Sequence, residues 1–176
     1  MTYILGISAF YHDSAAALIK NGEILSAVQE ERFSRVKHDP NFPENAIDFI
    51  LKNENLKLSN VSKVVFYDKP FLKFERLLET YISTAPWSFN SFRLGMPVWI
   101  KEKLFLKSVL VNSLKQFDKD FKTENLLFSE HHLSHAASAY YPSPFDNSIV
   151  LTLDGVGEWA TTSVAIGNKN KLEIKK

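Results

Sequence analysis

Two histidines stand four residues apart in Glu130-His131-His132-Leu133-Ser134-His135. On a helix, side chains at i and i+4 lie on one face, so His131 and His135 could grip one metal ion. Asp154 follows the apolar run Ile149-Val150-Leu151-Thr152-Leu153, which reads as a strand. Two imidazoles and a strand-end carboxylate form a two-His-one-carboxylate set, which binds a divalent metal and leaves positions open for substrate. The plain alternative is a helix-capping histidine and a satisfied core histidine. The metal reading is favoured because Leu126 to Ser129 reads as a strand running straight into His131, and ligands bind at strand-to-helix junctions of α/β sheets. Small residues (Ser134, Ala136, Ala137, Ser138, Ala139) leave room for a bound group. His132 lies about 100° round the helix from its neighbour and is the least suited of the three to share the ion.

Three further segments carry weaker signals. Gly155 and Gly157 after Asp154 let backbone N–H groups approach an anion, although Asp-Gly is also a favoured hairpin turn. In Ala9-Phe10-Tyr11-His12-Asp13-Ser14, His12 could act in acid–base chemistry and Asp13 could hold a cation or orient a water. Hydrogen bonding of Asp13 and Ser14 to the turn backbone is the simpler role. Between Glu30 and Asp39, the side chains of Arg32, Arg35, Lys37 and His38 could bind a phosphorylated or carboxylated molecule. A solvated charged loop is the default for such a stretch.

These residues must be positioned by a fold. Tyr3 to Ser8, Ser14 to Ile19 and Glu23 to Gln29 read as strands, the last two joined by the turn pair Asn21-Gly22. A helix starts at Pro43-Glu44, Val61 to Tyr67 is a strand, and Pro70 to Ile82 is a helix. Ser91 to Phe117 reads as one helix, interrupted near Gly95 and Pro97. Ser134 to Tyr141 is helical, Ser148 to Asp154 is a strand, Asp154 to Gly157 is a tight turn, and Thr161 to Ile166 returns. The interleaving predicts an α/β protein with a mixed β-sheet flanked by helices.

The 176 residues suffice for one well-buried domain. A net charge of +1 offers no broad basic field for nucleic acid. No cysteine is present, which excludes Cys-ligated zinc and suits a cytoplasmic protein. No signal-peptide pattern is visible, and charges interrupt every stretch approaching the roughly 20 apolar residues of a membrane span.

Together, four motifs resemble the O-carbamoyltransferases that modify nodulation factors and antibiotics. They are Gly6 to Ala16, Glu30-Glu31-Arg32-Phe33 with Arg35, Lys37, His38 and Asp39, His131 to Ala136, and Leu153 to Glu158. The resemblance implies an N-terminal lobe of the actin and sugar-kinase-like (ribonuclease H-like) fold, related to the tRNA threonylcarbamoyl transferases. It implies ATP and a metal, usually iron, as cofactors. A separate C-terminal domain would make carbamoyl-adenylate from carbamoyl phosphate and ATP, and the first domain would pass the carbamoyl group to a hydroxyl of a sugar or natural product. Carried over by motif, His131, His135 and Asp154 match the metal ligands. Asp13 and Ser14 fall at the first phosphate loop, and Gly155, Val156 and Gly157 at the second. His12 becomes the acid–base residue, and the stretch from Arg32 to His38 a contact for the carbamoyl donor.

The expectation is that residues 1–176 are one lobe of a longer enzyme, with little turnover alone and a severed sheet edge open to a second copy. The rival expectation is a nucleotide- or partner-binding module without chemistry, docking through Phe71, Phe74, Trp87, Phe89, Phe92 and Trp99. A sugar or acetate kinase is disfavoured, because Ser8 to Asp13 stands where an Asp-x-Gly-Thr phosphate loop is expected.

Overall fold

The computed structural model describes residues 1–100, 105–155 and 157–175, without the side chains of Val98 and Trp99. The chain is a mixed α/β protein in two compact units: Met1–Tyr67 with Lys107–Phe128, and Asp68–Leu106 with Ser129–Lys176.

The first unit is built on a five-stranded mixed sheet of order β3-β2-β1-β4-β5. Its strands are β1 (Tyr3–Ser8), β2 (Ala15–Lys20), β3 (Glu23–Gln29), β4 (Lys63–Phe66) and β5 (Leu126–Phe128). The β1-β2-β3 meander is antiparallel, whereas β4 runs parallel to both β1 and β5. Asn21 and Gly22 both take positive φ, 51° and 95°, at the β2–β3 turn. That is what a two-residue hairpin demands and what their side chains permit. Leu5, Ile7, Leu18, Val64 and Phe66 alternate inward to form the core. Helix α2 (Glu44–Asn53) packs on β2 and β3, burying Ala46, Ile47, Ile50 and Leu51. Helix α5 (Leu106–Phe117) buries Leu110 and Leu114.

A short helix, α1 (Glu31–Ser34), forms inside the charged stretch expected to be a loop. The reason lies at its start. Glu30 is 3% exposed. Its Oε1 accepts from Asn45 N–H (3.2 Å) and Nδ2 (2.6 Å), and its Oε2 accepts from Ala46 N–H (2.9 Å). Pro43 at the N-cap of α2 makes no side-chain cap, so Glu30 satisfies the free N–H groups of that helix from a distance in sequence.

The second unit contains a separate three-stranded antiparallel sheet of β6 (Asn147–Leu153), β7 (Thr162–Asn168) and β8 (Lys171–Ile174). The expected mixed sheet is thus two sheets, five- and three-stranded. Helix α6 (His131–Tyr140) packs against it. Its buried residues His132, Ala136 and Tyr140 recur every four positions, which makes one stripe. Tyr140 lies so close over Gly167 that a Cβ there would collide with the ring. Its hydroxyl lies within hydrogen-bond reach of two carbonyls, Asp146 (2.8 Å) and Lys169 (2.9 Å).

Helices α3 (Pro70–Ser83) and α4 (Phe89–Trp99) complete this unit. Of the interrupted helix expected over Ser91 to Phe117, α4 covers the part to Trp99, with Pro97 in its last turn, and α5 the part from Leu106; residues 101–104 of it lie outside the described residues. Of the proposed docking aromatics, Phe71 and Phe89 are exposed, Trp87 is 91% exposed, and Phe74 and Phe92 are half-buried. The Trp99 side chain lies outside the described residues. No helix among the described residues is long and apolar enough to cross a membrane.

Candidate metal centre

Helix α6 begins at His131, three residues earlier than the pattern suggested, because Glu130 takes the extended N-cap conformation. The early start places His131 and His135 one turn apart on a stripe next to the one that faces the sheet. Asp154 stands immediately beyond β6, where the chain leaves the sheet. His131 Nε2 lies 2.7 Å from Asp154 Oδ2 and 3.1 Å from His135 Nε2. The three ligand atoms fall within 4.8 Å of one another and form a possible metal site.

The donor set fits a cation better than a proton. An imidazole nitrogen carries either a hydrogen or a lone pair. His131 Nε2 therefore cannot donate to Asp154 and also accept from His135. One cation would use all three lone pairs at once. His131, Asp154 and His135 would hold such an ion through these atoms, which stand 2.7 and 3.1 Å from one another at the His131–Asp154 and His131–His135 pairs. Charge states agree. Burial first, then the nearby Lys73 ammonium, push His131 below its ordinary pKa. Burial pushes Asp154 up, but the His131 ring, the Gly155 N–H and His135 outweigh it and leave the carboxyl below its ordinary value. A neutral imidazole beside a carboxylate is the form that binds metal.

A second layer holds these ligands. Glu158, buried, accepts hydrogen bonds from the backbone N–H of Lys69 (2.6 Å) and of His131, tying the starts of α3 and α6 together. Its carboxyl is pushed up to about 7, mainly by burial and with a further rise from Asp68 alongside. Lys73 pairs with Asp68, and the Arg76 guanidinium donates to the Gly157 carbonyl. Sequence reasoning passed over Asp68, Lys73 and Arg76, and named Glu158 only as the last residue of the Leu153 to Glu158 motif, with no role given to it. For Asp68 the available signal was its place just after a strand, on the ligand side of α/β sheets.

The segment read as a tight turn is the start of a longer loop, Asp154 to Thr161, closed by Asp154 N–H to Thr161 O at 2.8 Å. Gly155 is exposed with nothing within 4 Å of where a Cβ would lie. Gly157 is buried, and a Cβ there would meet the Ala160 carbonyl and His132 Nε2. Val156 lies outside the described residues. His132 turns the other way, its Nδ1 2.8 Å from Ser163 Oγ.

In the first unit, the structure brings together His12, Asp13 and His38. His12 Nδ1 is 2.7 Å from Asp13 Oδ2, and His38 Nδ1 is 2.8 Å from Asp13 Oδ1. Ser14, in contrast, is 1% exposed. Its hydroxyl is buried, and its backbone carbonyl accepts from Glu30 N–H at 2.8 Å. Arg32, Arg35 and Lys37 are exposed on and after α1.

The fold and this centre define an α/β protein with a candidate His–His–Asp metal site. The family model for the carbamoyltransferase N-terminus matches residues 3–176, and the chain belongs to that family. It is 56% identical over 175 residues to the uncharacterised protein sll1178 of Synechocystis sp., covering 98% of this chain and 28% of that protein. It is 30% identical over 166 residues to the nodulation protein NolNO of Sinorhizobium fredii, covering 94% and 23%. An uncharacterised protein of Methanocaldococcus jannaschii is 28% identical over 163 residues, with 93% and 24% covered. The chain thus spans about a quarter of the length of these relatives.

Proposed function

We propose that this chain is the N-terminal, actin-like lobe of an enzyme that moves a carbamoyl group to a hydroxyl of a sugar or natural-product acceptor. The donor is carbamoyl-adenylate, made from carbamoyl phosphate and ATP. The observation that carries the reading is the convergence of His131, His135 and Asp154 within a chain of this family. A divalent metal held there, iron by the family resemblance, supplies Lewis acidity toward a carbamoyl or phosphate oxygen. Asp154 supplies charge, and Glu158 fixes the His131 backbone.

His12 takes the acceptor's proton. As the hydroxyl oxygen attacks the carbamoyl carbon, a new C–O bond forms. The bond from that carbon to the phosphate oxygen breaks, the adenylate phosphate leaves with the electron pair, and the proton rests on His12 Nε2. Arg32, Arg35 and Lys37, exposed and cationic, suit the donor's phosphate. In the second unit, Gly155 leaves backbone open to an anion.

Metal titration tests the reading. The protein is expected to bind one ferrous ion per chain, and an H131A/H135A variant none. Affinity should fall as His131 gains its proton, at a pH below its ordinary 6.5 because burial lowers it. A double variant that holds iron as tightly as the parent would remove the basis of the proposal. For the full-length gene product, consumption of carbamoyl phosphate and ATP only in the presence of a hydroxylated acceptor is the expected activity.

A further inference from the structure

We propose that Asp13 is the positioning residue of a two-imidazole, proton-accepting site formed by His12 and His38, which takes a hydroxyl group of the acceptor. The inference rests on the reading of His12 as the proton acceptor, and adds His38 as its twin and Asp13 as the group that orients both.

The geometry determines the tautomers. Each imidazole meets its own oxygen of one carboxylate, at 2.7 and 2.8 Å through Nδ1. Hydrogen bonds from His38 and then His12 hold the Asp13 carboxyl below its ordinary value, so it is ionised at neutral pH. An ionised carboxylate only accepts, so each Nδ1 donates, and in the neutral form of either ring Nε2 carries the lone pair. Those side chains are 60% and 61% exposed, which leaves the rings open to a ligand.

The backbone is arranged for this meeting. Asp13 and His38 have φ of 52° and 58°, in the left-handed region that residues other than glycine rarely occupy. The two loops are pinned by Phe10 N–H to Pro40 O (2.7 Å), Ser14 N–H to Asp39 O (2.9 Å), and His38 N–H to Glu31 Oε2 (3.2 Å). Stability alone does not account for it. Exposed polar contacts of this kind contribute little to folding, while left-handed residues of this kind cost free energy and gather at functional sites.

The test has two arms. Long-range 1H–15N spectra of the protein at pH 8 should show Nδ1–H, with bare Nε2, for both His12 and His38. Asp13→Asn keeps the left-handed backbone, which asparagine tolerates. Its amide has one accepting oxygen and one donating nitrogen, so one ring should switch to the Nε2–H form. In the full-length gene product, Asp13→Asn and His38→Gln should each lower the kcat of carbamoyl transfer by about 10²-fold or more, with a smaller change in KM for the acceptor. Nε2–H tautomers in the parent, or Asp13→Asn and His38→Gln turning over at the parental kcat while His12→Asn is dead, would overturn the proposal and leave His12's role intact. Full activity in His12→Asn would overturn both readings.

Discussion

Replacing Glu30 by alanine should unfold the first unit more readily than any surface substitution in the same charged segment. The side chain is buried and accepts three hydrogen bonds, two of them from N–H groups in the first turn of α2. Losing a helix cap costs about 1–2 kcal/mol. Hydrogen bonds to a charged group are worth about 1.5–3 kcal/mol net. These overlap, because the cap is the hydrogen bonding, and the vacated side-chain volume adds a cavity term. Together they give about 3 kcal/mol, a fall in Tm of roughly 6–12 °C for a chain of this size. E30Q should fall between parent and alanine, since it keeps one acceptor and turns an N–H donor on the other partner. Urea denaturation gives the global figure. Amide exchange at Ala46, whose N–H is bound by Glu30 Oε2, gives the local one. An E30A midpoint within about 1 kcal/mol of the parent, with Ala46 exchange unchanged, would refute the reasoning. The consequence reaches the His12–Asp13–His38 cluster, because Glu30 opens the segment that carries His38, and its own N–H is bound by Ser14 O.

Two other perturbations probe the second unit. The Glu158 carboxyl titrates near 7 when folded and 4.5 when not, so the folded state binds the extra proton between those values. Its stabilising contribution is full below about pH 4.5 and disappears as pH rises through 7. E158Q should remove this slope, and the difference between E158Q and parent urea midpoints should move in the variant's favour from pH 5 to pH 8. A pH-independent difference would contradict the assignment. G157A forces a Cβ into the Ala160 carbonyl and the His132 ring. It should cost about 1–3 kcal/mol, and an unchanged Tm would show that the loop from Asp154 to Thr161 is not packed as described.

Much of the local structure was legible. The positive φ of Asn21 and Gly22 follows from two side chains that tolerate it. The His131–His135 spacing pointed to a shared face, since residues four apart stack at 3.6 residues per turn, although the helix itself was read only from Ser134. Buried carboxylates were not legible. Glu30, Asp68 and Glu158 are read as ordinary acidic residues in a string of letters, since what distinguishes them is burial and partners far along the chain. The split into two sheets was missed for a related reason. Strands announce their own periodicity but not their neighbours. The loop after Asp154 looked like a tight turn because Asp-Gly favours one, and its closure depends on Thr161.

What the amino-acid order determined by itself was the kind of element at each place, the family, and the short-range pairing of His131 with His135. Those depend on backbone sterics and on spacing within a few residues. Only the tertiary structure decided that Asp154 reaches His131 across 23 positions, and that Asp13 sits between His12 and His38. Such meetings depend on how whole elements pack, and that packing is set by the summed burial of many side chains rather than by the residues that meet.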